Sequence, residues 1–396
     1  MCNPIKTDSM MYMKRIILKT VFLFIICNCA LGQTNVYDSI YYGGRWRTFM
    51  THLPTGYNTS TNYPLVLAFH GGSPLGYQSI QYQSRLSPKA DSSSFVLIYP
   101  EGVKIAGNRT WNAGGCCAPA TTLNIDDIGF VNALLDTSFN NWSIDTTRVY
   151  ATGFSNGSLL CYRLANQLTK RFAAIAPVAG DLMYYPWTLS QAIPIISFHS
   201  YQDSNILYFG GVTIGPTGTY FPPQDSMFNI ISSNYNCSII KDTIYHDSLH
   251  YDHFLYSNCD CNVIIEQYVS YDGEHSWPGG FATGGVTVSN QFSATKLMWQ
   301  FFQNYTTSCN TTGIKEKSNT QNSFEIFPNP CNGIITINLT SEIFNIIIFD
   351  YLGRKVNEKY RATGKCQIDC AELTKGIYLI QANSDTRILT GKFIKQ

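Results

Sequence analysis

Charge is scarce in this 396-residue chain: Asp, Glu, Lys and Arg together supply 13% of it, and the formal net charge is +1. A protein held to nucleic acid by phosphate contacts shows a basic surplus or stripe, so that class is excluded. Long apolar runs are also missing. The most pronounced, Val21 to Cys27, is too short to span a bilayer, which takes roughly 20 residues, and no later stretch is long enough. No segment repeats at a fixed period, which removes solenoids and propellers. The chain does have a normal apolar fraction, 44%, and many aromatics, 14% with 26 Tyr. Such residues build cores, and they also serve surfaces that grip sugars or polymers.

The N-terminus reads as an address. Lys14, Arg15 and Lys19 precede the Val21–Cys27 run, and Ala30 and Gly32 follow it. A basic region, a short apolar core and a small-residue exit predict a cleaved leader over residues 1–32, with Met13 as an alternative start. Ten cysteines then remain, an even number in an exported chain, which predicts disulfides without pairing them.

Residues 33–305 alternate short apolar runs with helical patterns. The runs are Pro64–Phe69, Phe95–Tyr99, Arg148–Thr152, Phe172–Ala176, Pro194–Phe198 and Val263–Val269; the helical patterns are Ile128–Thr137, Ser158–Leu168 and Ser293–Tyr305. Strands buried on both faces read this way, and their alternation with helices predicts an α/β fold with a doubly wound, mostly parallel sheet. Residues 306–322 turn small and polar, as linkers do. From 323 to 396, short β-rich segments separated by Pro328-Asn-Pro330, Asn332-Gly333 and Leu352-Gly353 predict a small all-β sandwich.

The chemistry centres on Gly153-Phe-Ser155-Asn-Gly157, between a predicted strand and a predicted helix. A nucleophilic serine at such a turn needs glycine two residues either side, because Cβ atoms there would collide. The helix start also turns free N–H groups towards the reacting carbonyl. A serine needs a base and the base an orienting acid, in the order Ser, acid, His for this architecture. Asp203 follows the run 194–198 and His275 follows the run 263–269, which makes Ser155, Asp203 and His275 the expected triad. Asp126 and Asp127 precede the serine and are expected to cap a helix. His246, His250 and His253 alternate with acids and read as a solvated excursion, with no metal site expected. The loop His70-Gly-Gly-Ser73 is expected to offer Gly72 or Ser73 as one oxyanion donor, Asn156 giving the other, while His70 props the loop. No cofactor is needed.

Six stretches resemble the polyhydroxybutyrate depolymerase-like and feruloyl esterase branch of the secreted α/β-hydrolase esterases. They are Pro64–Gly72, Trp111-Asn-Ala-Gly-Gly-Cys-Cys117, Asp126–Phe130, Arg148–Gly157, Phe172–Gly180 and Gly273-Glu-His-Ser-Trp-Pro-Gly-Gly280. The resemblance implies ester hydrolysis through an acyl-enzyme, on feruloyl or acetyl esters of polysaccharide or on short polyesters, with Trp277 and Trp111 as substrate-binding residues. It also implies a disulfide from Cys237 to Cys259 or Cys261; for Cys116 and Cys117, bonding to Cys161 or to each other stays open. The family's His-Gly-Thr-x-Asp appears here as His199-Ser-Tyr-Gln-Asp203, a departure at the acid loop. The tail, with Phe327-Pro-Asn-Pro330, Ile348–Arg354, Leu373–Leu379 and Lys392–Lys395, resembles the type IX secretion system C-terminal sorting domain of Bacteroidetes. That implies the secretion machinery as a partner and a released or surface-attached protein. The contrasting expectation is a non-catalytic polymer-binding protein on a hydrolase scaffold.

Overall fold

The computed structural model describes residues 34–187, 191–213, 218–307, 324, 326–339, 343–350, 355–384 and 388–396. The expected leader and most of the expected linker lie outside these residues. The chain divides into two compact units, residues 1–311 and 312–396.

The first unit is built on one ten-stranded sheet. Its strands in chain order are β1 (Thr34–Tyr42), β2 (Arg45–Leu53), β3 (Tyr63–Phe69), β4 (Val96–Pro100), then, past a small hairpin of β5 (Val103–Ile105) and β6 (Asn108–Thr110), β7 (Ile144–Phe154), β8 (Ala174–Val178) and β9 (Ile195–Ser200). A second small hairpin, β10 (Gly211–Val212) and β11 (Tyr220–Phe221), precedes β12 (Ile239–His246), β13 (Tyr251–Ser257) and β14 (Ile265–Ser270). The sheet order is β1-β2-β4-β3-β7-β8-β9-β14-β13-β12. The six central strands from β4 to β14 are parallel, and the hairpins at both edges are antiparallel.

The apolar runs of the central strands follow from burial on both faces. Alternate residues serve opposite cores: Leu65, Leu67, Phe69, Val149, Ala151 and Ile175 join one, while Val66, Ala68, Tyr150, Ala174 and Ala176 join the other. Helices Asp127–Asn141 and Asn156–Gln167 cover the first face, and Leu86–Ser93 and Ala294–Phe302 the second. The last of these starts where Ser293 accepts a hydrogen bond from the N–H of Lys296. No helix among the described residues is long and apolar enough to cross a membrane.

Two readings need correction. The segment with His246, His250 and His253 is no excursion but the β12–β13 hairpin, which extends the sheet. Its histidines meet Asp252 at 2.5 Å, Asp247 at 2.5 Å and Glu266 at 3.1 Å respectively. Of the two acids before the serine, only Asp126 caps the helix, by accepting from the N–H of Gly129. Asp127 instead forms a buried ion pair with Arg47 at 2.6 Å and accepts from the N–H of Asn112.

The second unit has two antiparallel sheets. One holds β15 (Ile326–Phe327), β16 (Ile334–Asn338) and β19 (Lys365–Asp369); the other holds β17 (Phe344–Phe349), β18 (Lys355–Ala362), β20 (Gly376–Asn383) and β21 (Ile388–Lys395). Ile335 and Ile337 from one sheet and Ile346, Ile348, Ile380 and Phe393 from the other close a single core. This is the sandwich that the short β-rich segments and their turn signals predict.

Candidate active site

Ser155 sits between the end of β7 and the helix Asn156–Gln167, with φ 54° and ψ −122°. A positive φ costs a non-glycine residue free energy, and the surroundings enforce it here. A Cβ on Gly153 would run into the carbonyl of Gly157, and a Cβ on Gly157 into the carbonyls of Phe69 and His70. Both flanking glycines are therefore required by close backbone approach, as the turn chemistry predicts.

The half-buried Ser155 Oγ lies 2.9 Å from His275 Nε2. His275 Nδ1 lies 2.8 Å from Asp203 Oδ2. An ionised carboxylate there makes Nδ1 the donor and leaves Nε2 to accept the serine proton. The ring of Phe154 packs 4.8 Å from the imidazole, centroid to centroid. Asp203 is buried, and burial by itself raises a carboxyl pKa. The charge and hydrogen bond of His275, with the N–H of Ile206, outweigh it and leave the pKa below its ordinary value. The other carboxylate oxygen accepts from Asn205 and Ile206 at 2.9 and 2.8 Å.

The acid loop carries a feature that motif reading passed over. Ser200, where the resemblance expects glycine, donates through Oγ to the carbonyl of Gly273, two residues before the base. The same oxygen lies 3.2 Å from the Ser270 carbonyl and accepts from the N–H of Gln202 at 3.0 Å. A departure that looks like a weakness in the sequence thus ties the acid loop to the base loop.

The loop before the serine separates its two candidate donors. The N–H of Ser73 is spent on the Arg109 carbonyl at 3.1 Å, which removes Ser73 as an oxyanion donor. The N–H groups of Gly72 and Asn156 join no hydrogen bond within the described residues. Gly71 stands against the nucleophile, since a Cβ on it would lie 3.1 Å from that of Ser155. His70 is buried, with Nδ1 donating to the Gly71 carbonyl at 2.6 Å and Nε2 accepting from the N–H of Gly102 at 2.9 Å. Burial pushes its pKa down to about 4, so it props the loop as a neutral ring.

Trp111 and Trp277 do not line an open site. Trp111 is fully buried, donates Nε1–H to the His70 carbonyl at 2.9 Å, and exchanges two backbone hydrogen bonds with the Asn156 side chain. Trp277 is fully buried too, and its Nε1–H reaches Thr295 Oγ1 at 2.9 Å, locking the base loop to the last helix of the unit. Both are corrections to the expected substrate-binding roles: an indole needs a partner for its N–H when buried, and the core supplies one. Cys237 bonds Cys259, and Cys116 bonds Cys117, which leaves Cys161 free and buried.

Comparison with known proteins adds relatives to this geometry. Residues 325–396 match the family described as secretion system C-terminal sorting domain, and the tail is such a domain. A stretch of 166 residues, 42% of the chain, is 30% identical to the bifunctional acetylxylan esterase/xylanase XynS20E of Neocallimastix patriciarum. Another match, over 174 residues and 42% of the chain, is 26% identical to feruloyl esterase B of Piromyces equi. The chain spans 22% and 31% of the lengths of these two proteins. Among solved structures, an acetyl xylan esterase from Aspergillus awamori aligns with a TM-score of 0.47 at 12% identity, over 67% of this chain and 99% of that one. The chain is thus homologous to acetylxylan and feruloyl esterases and carries the sorting tail of an exported protein.

Proposed function

We propose that this is an exported serine carboxylic-ester hydrolase that works through an acyl-enzyme. The observation that carries the reading is the relay from Ser155 Oγ to His275 Nε2, and from His275 Nδ1 to Asp203, at hydrogen-bond distances throughout. Ser155 attacks the ester carbonyl while His275 takes its proton, and Asp203 holds the ring and its positive charge. The oxyanion rests on the N–H groups of Asn156 and Gly72, the first reinforced by the helix N-terminus. His275 returns the proton to the departing alcohol. Water, deprotonated by the same ring, then cleaves the acyl-enzyme and restores the serine.

The esterase relatives support feruloyl or acetyl groups on polysaccharide as the substrate class, ahead of short polyesters such as polyhydroxybutyrate. In this reading residues 1–32 are the leader, 33–305 the esterase, 306–322 a linker and 323–396 the sorting domain addressed to the type IX machinery. Ser155→Ala is expected to lower turnover of p-nitrophenyl acetate by roughly 10⁴-fold or more. Wild-type turnover in that variant would remove the nucleophile. Methyl ferulate, acetylated xylan and poly-3-hydroxybutyrate assayed side by side separate the substrates. Failure of the folded protein to react with a fluorophosphonate would favour the non-catalytic binding protein instead.

A further inference from the structure

The β1–β2 hairpin holds more aromatic surface than its fold needs. One of its faces is committed to one core, where Ile40, Tyr42 and Phe49 pack, and the other gives only Met50 to the second core. On the other face the register sets Tyr41 opposite Trp46, Ser39 opposite Thr48 and Tyr37 opposite Met50. Tyr37, Tyr41 and Trp46 are 66%, 64% and 68% exposed. Scattered exposed rings are ordinary, but these three lie on one face of one hairpin, in a row along it. The Tyr41 and Trp46 rings meet edge-on, 5.5 Å apart, and Tyr37 lies roughly 13 Å along the strand from Tyr41.

The patch does not end at the hairpin. The Tyr77 ring stands 6.4 Å from that of Tyr37. Both line a cavity of about 450 Å³ together with Asp38, Ser39, Thr48, Glu101 and Arg109. Arg109 pairs with the Glu101 carboxylate, while Asp38 adds a further carboxylate to the wall. Ring faces interleaved with hydroxyls, an ion pair and an acceptor carboxylate match a ligand with apolar faces, donating hydroxyls at its edges and no negative charge. A chain of linked pyranose rings has that character. The cavity wall is also continuous with the active-site loop: Arg109 exchanges both backbone hydrogen bonds with Ser73 at 3.1 and 3.0 Å and donates to the Pro74 carbonyl at 2.7 Å.

We infer that the outer face of β1–β2, running from Trp46 through Tyr41 and Tyr37 to the Tyr77 cavity, binds the backbone of a neutral β-linked polysaccharide. The choice of xylan as its ligand rests on the substrate class proposed above; the strip itself does not depend on Ser155. It would hold the polymer while its ester substituents reach the serine.

Unsubstituted xylan tests this, because it carries no ester and its binding is independent of hydrolysis. The full chain run in native gels containing soluble xylan is expected to be retarded. Trp46→Ala/Tyr41→Ala should bind about tenfold more weakly, a loss in the range of one or two ring contacts. Tyr220→Ala, equally exposed at 60% on a different hairpin, should leave retardation unchanged. Thermal melts of each variant establish that it is folded. No retardation of the unaltered chain, or equal retardation of the double variant, overturns the inference. So does a dimer that xylan leaves unchanged and the double variant abolishes, since the face would then be an interface between two copies.

Discussion

Ser200 Oγ donates to the carbonyl of Gly273, so one hydroxyl joins the loop that holds Asp203 to the loop that holds His275. A relay of 2.8 and 2.9 Å contacts tolerates little relative movement of the two loops that supply its members. Ser200→Ala removes the clasp and leaves the buried Ser270 and Gly273 carbonyls one donor short, a loss of about 1–3 kcal/mol in stability. The expected kinetic signature is a fall in kcat with KM nearly unchanged, because the nucleophile and the binding surfaces remain. Steady-state kinetics with p-nitrophenyl acetate beside a denaturant titration measure both effects. Unchanged kcat in Ser200→Ala would mean that the loops hold their geometry without the bridge.

Gly71 and Gly72 are neighbours with different tasks. An added Cβ at 71 meets the Cβ of Ser155 at 3.1 Å and the Phe154 carbonyl at 3.3 Å, whereas one at 72 finds nothing nearer than 3.8 Å. Gly71→Ala is therefore expected to displace the serine and reduce kcat/KM by about tenfold or more. Gly72→Ala keeps its N–H and has room, so it should stay near the parent value. A loss at 72 as large as at 71 would show that the loop carbonyls, not the serine, feel the change.

Much of this was legible in the chain because burial and turn chemistry leave local marks. The central strands are apolar on both faces, and the demand for glycine at 153 and 157 is a backbone collision that any sequence with this turn must avoid. What stayed hidden depends on partners distant in the chain. The hairpins β1–β2 and β12–β13 carry polar and aromatic residues on open faces, so their periodicity is weak. The resemblance implies substrate-binding roles for Trp111 and Trp277, but tryptophan serves cores and surfaces alike, and only the acceptors at the His70 carbonyl and Thr295 Oγ1 decide between them. Ser73 was as eligible as Gly72 until Arg109, far along the chain, took its N–H. In the same way Ser200 shows in the sequence only as a departure from the family's glycine, since its acceptor Gly273 belongs to a different strand end.

His70 makes the loop sensitive to acid. Its neutral ring donates from Nδ1 and accepts the Gly102 N–H at Nε2, so protonating Nε2 would set two donors face to face. The folded pKa is pushed from 6.5 down to about 4, mainly by burial. With the folded value depressed, the contribution to stability is complete above pH 6.5 and is lost as the pH falls towards 4. His70→Asn is expected to be less stable at pH 7, yet to lose less further stability between about pH 6.5 and 4 than the parent. Denaturant titrations of both proteins at several pH values across that window provide the comparison, and parallel losses would count against it.

Asp181 works in the opposite direction. It is fully buried just beyond β8; one carboxylate oxygen accepts the N–H of Leu182 at 2.6 Å, while the other has no hydrogen-bond partner among the described residues. Burial raises its pKa from 3.8 to about 8. The folded chain therefore holds a proton here that the unfolded chain gives up above its own lower value, so stability declines as the pH rises from about 4 to about 8 and levels off beyond. A carboxamide in place of this carboxyl has no such proton to lose. Asp181→Asn should therefore become progressively more stable than the parent across that range, on the order of 1 kcal/mol per pH unit at most. Because every other titrating group is shared, the difference in melting temperature between variant and parent isolates this one. It should be larger at about pH 8 than at about pH 5. A constant difference would mean that Asp181 is ionised in the fold and that a cation or ordered water satisfies it.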